Sequence, residues 1–124
     1  MRHGPLAAPA ITGVVQHGDK RGRELGFPTA NIAVEGEDTP PFGVYAGTLD
    51  GRPAAISVGV RPTFGDGLRP LLEAYVLDFS GDLYGRSVRV ELVQRLRGEV
   101  RFEGIEALVA QIERDVEDVR AVFA

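Results

Sequence analysis

Residues 13–31, GVVQHGDKRGRELGFPTAN, bring glycine and positive charge together: Gly13, Gly18, Gly22 and Gly26 alternate with Lys20, Arg21 and Arg23. Glycine lets a backbone approach a ligand closely and turn N–H groups toward it, and the cations supply charge for a polyphosphate. The same composition also suits a solvated connection between two strands. The stretch is neither a GxxxxGKS/T loop nor GxGxxG. It ends in Pro28-Thr29-Ala30-Asn31, and Asn31 is the only asparagine in the chain. In an extended segment the side chains of Thr29 and Asn31 leave from one face. A hydroxyl and an amide oxygen are hard ligands that suit Mg²⁺; turn chemistry after a proline accounts for the same pair.

A second candidate is Glu73, a lone carboxylate inside the apolar run Leu71-Leu72-Glu73-Ala74-Tyr75-Val76-Leu77. Whichever way the strand faces, Glu73 has apolar neighbours, and burial would bring a carboxyl toward the range useful to a general base. A barrel-rim glutamate in water is the competing reading. A third candidate is Arg97–Phe102, RGEVRF. A cation and an aromatic ring there suit a flat, polar-edged ligand, although pattern alone favours a charged loop with a core Phe.

These residues need elements to hold them. Six β-rich stretches stand out: Ile11–Gln16, Ala30–Val34, Gly43–Leu49, Ala54–Gly59, Leu71–Phe79 and Ser87–Leu96, with Gly, Pro and Asp in the gaps. Asp50-Gly51 predicts a type I′ hairpin. Val88, Val90 and Leu92 alternate with Arg89 and Glu91, the mark of a half-buried strand. Ile105, Leu108, Val109, Ile112, Val116, Val119 and Phe123 recur at helical spacing, predicting one amphipathic helix of about 18 residues without a side-chain cap at its start. The pattern predicts a small antiparallel barrel covered at one end by the helix. Residues 1–10 read as a loose lead-in, and GDGLRP at 65–70 as a loop.

Composition narrows the function. At 124 residues the chain is one domain in size, with 44% apolar and 26% charged residues. A net charge of −4 without a basic run argues against nucleic acid and anionic membranes as partners. There are no cysteines and only His3 and His17, so disulfides, thiolate chemistry and Cys-based zinc sites are excluded. Thirteen of the 14 basic residues are Arg, which reads as codon bias before it reads as phosphate recognition. The amino-terminal residues lack an apolar signal core, so a cytoplasmic protein is expected.

Taken in order, the motifs resemble the riboflavin kinase family, most closely the kinase module of bifunctional bacterial riboflavin kinase/FAD synthetases. GRELGFPTAN at 22–31 is the signature, followed by GVYAG at 43–47, SVGVRPTFG at 57–65, EAYVLDFSGDLYG at 73–85 and LRGEVRF at 96–102. The resemblance implies a mainly β fold, a six-stranded antiparallel Greek-key barrel with a C-terminal helix, over residues 11–124. It implies transfer of the γ-phosphate of ATP to riboflavin, giving FMN and ADP, with Mg²⁺. By the same resemblance Thr29 and Asn31 hold metal and nucleotide phosphates, Gly18 and Arg23 wrap the nucleotide, Glu73 is the catalytic base, and Arg97 and Phe102 contact the flavin. The adenylyltransferase domain of bifunctional relatives, with its HxGH-type motif, has no counterpart here, so FMN but not FAD is the expected product. The alternatives are a non-catalytic flavin-binding module and a nucleic-acid barrel of OB type. Retained Thr29, Asn31 and Glu73 argue against the first, and the acidic charge argues against the second.

Overall fold

The computed structural model describes residues 10–16, 29–34, 40–62, 68–79, 81–98 and 102–124. Its elements are β1 (Ile11–Gln16), β2 (Ala30–Val34), β3 (Gly43–Leu49), β4 (Arg52–Pro62), β5 (Leu68–Val76), β6 (Ser87–Arg97) and α1 (Ile105–Val122). The strands close into a barrel in the order β1-β2-β5-β4-β3-β6, with every pairing antiparallel. Hairpin-linked β3, β4 and β5 lie side by side and β6 returns to pair with β3, which is the Greek-key arrangement.

Alternation sorts each strand into lumen and outer wall. Ile11 and Val15, Ile32, Tyr45 and Leu49, Ile56 and Val58, Leu72 and Ala74, and Val88, Val90 and Leu92 fill the lumen. The interior is narrow enough to require glycine in places: a Cβ on Gly47 would overlap the carbonyl oxygen of Glu91 and stand 2.8 Å from Cδ1 of Ile56. At the β3–β4 turn, Asp50 (φ 49) and Gly51 (φ 86) both take the left-handed region, as a type I′ hairpin demands.

β4 and β5 depart from the sequence-based bounds. β4 begins at Arg52 and runs to Pro62, past prolines that lack a ladder donor. Pro53 is tolerated beside the hairpin, and its carbonyl accepts a bond from the Leu77 N–H at 3.0 Å. β5 starts at Leu68, so Leu68, Arg69 and Pro70 are strand and not loop; they pair with Pro62, Arg61 and Val60. It stops at Val76 because the chain turns at Asp78, whose φ of 55 an aspartate tolerates better than most residues.

The helix lies along the outside of the barrel wall and does not cap an end. Val116, Val119 and Val122 pack on Ala46 of β3, Ala55 of β4, Tyr75 of β5 and Leu96 of β6, with Leu77 alongside. Val119 is fully buried, but Ile105 is 51% exposed, so the apolar stripe read from the sequence begins one turn before the helix meets the wall. Gly104 at the N-cap is extended and makes no side-chain cap, as expected. Among the described residues no helix is long and apolar enough to cross a membrane.

Candidate active site

With the lumen packed, the polar side chains of the strands sit on the outer wall. Register brings several of them into one lateral row: Gln16 is opposite Asn31, Asn31 opposite Glu73, Glu73 opposite Ser57, Ser57 opposite Val44, and Val44 opposite Arg97. Around Asn31, Glu73 and Ser57 the neighbours Ile32, Leu72, Ala74, Ile56 and Val58 are sealed in the core. Asn31, Glu73 and Ser57 therefore point outward from adjacent strands, where directly opposed side chains have Cβ atoms about 5 Å apart.

Asn31 is the anomaly. It is 4% exposed, yet neither Oδ1 nor Nδ2 finds a hydrogen-bond partner among the described residues. An orphaned buried amide costs about 1–3 kcal/mol per polar group, which singles Asn31 out as a candidate site residue. Glu73 beside it is half-buried, between an exposed rim and a closed core. Thr29 lies just ahead of β2 and is exposed.

Among the described residues no three His, Cys, Asp or Glu side chains gather in a cage. Mg²⁺ seldom uses such a cage and commonly takes one or two protein oxygens plus phosphates and water. The unpartnered amide oxygen of Asn31 and the hydroxyl of Thr29 fit that mode.

Arg97 takes a place that its motif does not disclose. Its Nε and Nη2 donate to the two carboxylate oxygens of Asp115 at 2.9 and 2.8 Å, and Nη1 donates to the Gly98 carbonyl at 2.9 Å. The side chains are 21% and 6% exposed, so this fork is largely desolvated. Gln111 donates to the same carboxylate at 2.9 Å. Arg97 thereby ties the end of β6 to the helix. β6 is three strands from β5 whichever way the closed barrel is followed, so Arg97 and Glu73 stand on strands at opposite sides of it. Phe102 is half-buried just before α1. Gly18 and Arg23 lie outside the described residues.

Two members of this wall went unread in the sequence. Ser57 interrupts apolar β4 as Glu73 interrupts β5, and the same signal would have found it. Asp115 lies three residues after Ile112 and four before Val119, on the helix face that turns inward, which helical spacing alone places there.

Fold and wall together define a class: a small Greek-key barrel whose lumen is packed and whose candidate polar row is on its outside. The comparisons make it specific. The family model described as Flavokinase: Riboflavin kinase matches residues 7–123. The chain is 44% identical over 126 residues to a bifunctional riboflavin kinase/FMN adenylyltransferase of Listeria monocytogenes, covering 96% of this chain and 40% of that protein. It is 43% identical over 119 residues to the protein of the same description from Escherichia coli K12, covering 92% and 38%. Among solved structures, one described as a macrolide-efflux protein from Streptococcus pneumoniae aligns with a TM-score of 0.83 at 35% identity, over 90% of this chain and 38% of that one. The riboflavin kinase of Trypanosoma brucei aligns with a TM-score of 0.61 at 27% identity, over 91% and 75%. This chain belongs to the riboflavin kinase family. It spans about two fifths of the length of the curated bifunctional relatives.

Proposed function

We propose that residues 11–124 form a riboflavin kinase domain that transfers the γ-phosphoryl group of ATP to the 5′-hydroxyl of riboflavin and releases FMN and ADP. The observation that carries this reading is the buried, unpartnered amide of Asn31 set directly across from the carboxylate of Glu73, in a chain of this family.

Glu73 accepts the proton of the 5′-hydroxyl as that oxygen bonds to the γ-phosphorus. The bond from the γ-phosphorus to the β,γ-bridging oxygen breaks, and its electron pair leaves with ADP. Such transfers ask the protein chiefly for positioning and charge neutralisation. Thr29 and Asn31 would hold Mg²⁺ together with the phosphates; when bound, the ion neutralises charge on the β- and γ-phosphoryl groups. Gly18 and Arg23 are assigned to the nucleotide by family resemblance. Arg97 and Phe102 are assigned to the flavin by family resemblance, and Arg97 also ties the end of β6 to the helix through Asp115. The partners are these small molecules and not nucleic acid or membrane, in keeping with the net charge of −4, and the setting is the cytoplasm.

The test is incubation of the purified chain with riboflavin and Mg-ATP, followed by chromatography. FMN and ADP should appear in equal amounts, and no FAD should form from FMN and ATP. Absence of FMN would overturn the reading, and FAD would overturn the restriction to a single activity.

A further inference from the structure

We propose that Ser57 is a substrate-binding residue of this site, its hydroxyl hydrogen-bonding the polyol chain of the flavin next to Glu73. The inference deepens the kinase reading and rests on it. Ile56 and Val58 on either side of Ser57 are fully buried in the lumen, so Ser57 faces the outer wall. It is the cross-strand partner of Glu73, which is itself the cross-strand partner of Asn31. Three adjacent strands thus present an amide, a carboxylate and a hydroxyl side by side.

What surrounds the triad limits what it can bind. Next along the outer wall, Ala55 and Tyr75 pack with the helix valines, so the polar row borders the ledge made by α1. Beyond Ser57 the row passes through apolar Val44 before reaching Arg97 and the Arg97–Asp115 fork. The order along the wall is therefore an orphaned amide, a carboxylate, a hydroxyl and then an apolar step. A ligand lying along it would place its reacting hydroxyl at Glu73, beside the phosphate donor at Asn31, further hydroxyls at Ser57, and its apolar ring system toward Val44. A flavin carrying a hydroxylated chain has that sequence of groups. A serine hydroxyl both donates and accepts, as binding a chain of alcohols requires.

The experiment compares wild type, Ser57→Ala and Ser57→Thr by flavin fluorescence titration with Mg-ADP present. Riboflavin is one probe, and lumiflavin, which has the ring without the hydroxylated chain, is the other. Loss of one neutral hydrogen bond should weaken riboflavin binding by about three- to tenfold in Ser57→Ala. Lumiflavin affinity, the KM for ATP and the Tm should stay at wild-type values, and Ser57→Thr should restore riboflavin binding. Unchanged riboflavin affinity in a folded Ser57→Ala chain would overturn the proposal. So would parallel weakening of both flavins, which marks a merely structural residue. A wild-type chain that binds no riboflavin would instead sink the kinase reading, and the inference with it.

Discussion

Asn31 on β2 and Glu73 on β5 are direct cross-strand partners on the outer wall of the barrel, although they are distant in the chain. Their inward neighbours Ile32, Leu72 and Ala74 are locked in the core, so neither side chain can turn away from the other face without breaking the packing. The β2–β5 ladder thus holds an unpartnered amide and a carboxylate at a spacing that one phosphate-bearing ligand could bridge.

Glu73→Gln should keep both substrates bound while turnover falls. Glutamine has nearly the same shape and still accepts hydrogen bonds, but it does not take up a proton. A positioned base typically contributes about 10²–10⁴-fold, so kcat should drop by that order with KM little changed. Single-turnover FMN formation at saturating substrates, with folding checked by circular dichroism, measures it. A folded variant within about threefold of wild type would limit Glu73 to orienting the hydroxyl, since a loose transition state asks little of a base.

Thr29 and Asn31 should separate binding from stability in opposite ways. Thr29→Ala removes an exposed hydroxyl, so Mg-ATP binding by calorimetry should weaken while the unfolding midpoint stays put. Asn31→Leu keeps the volume and removes two orphaned buried groups. The ligand-free chain should be as stable as wild type or more so, by about 1 kcal/mol in urea unfolding, and should no longer bind Mg-ATP. A marked loss of stability in Asn31→Leu would show that the amide has partners in solution.

Asp115→Ala should destabilise the fold by about 2 kcal/mol, between the values for exposed and fully buried ion pairs. It leaves the Arg97 guanidinium largely desolvated with one carbonyl partner. Arg97→Ala should cost a similar amount, and the double variant less than the sum, because both changes break one fork. Additive losses in denaturant unfolding would mean that the two residues act separately.

Asp78 and Arg120 form a second fork at 2.9 Å on both arms, this time in solvent. The hydrogen bond from Arg120, reinforced by its charge, holds the Asp78 carboxyl below its usual value of 3.8. A carboxyl depressed by folding adds stability above its unfolded value, and that contribution disappears as acid protonates it. Asp78→Asn should therefore differ from wild type only slightly at neutral pH. The difference should shrink as the pH falls below about 4 and be erased by salt at any pH. Tm measured against pH at low and high ionic strength tests this, and a gap that widens in acid would contradict it.

Local pattern was enough for much of this protein. β-branched runs and punctuation placed β1, β2 and β3 at their observed bounds, Asp50-Gly51 predicted its hairpin, and helical spacing predicted α1. These features depend on contacts within a few residues, which a short window contains. The same reading marked Glu73 as a lone carboxylate in an apolar run and Asn31 as the chain's only asparagine, at the end of Pro28-Thr29-Ala30-Asn31. It misjudged β5, because Pro70 and the turn at Asp78 act through partners on β4 and a single left-handed φ. It could not show that Asn31, Glu73 and Ser57 share one row, or that Arg97 turns to Asp115 on the helix. Those neighbours come from strands and a helix far apart in the chain. Their alignment is decided only when the barrel closes, because a one-residue slip on any strand would send its polar side chain into the core.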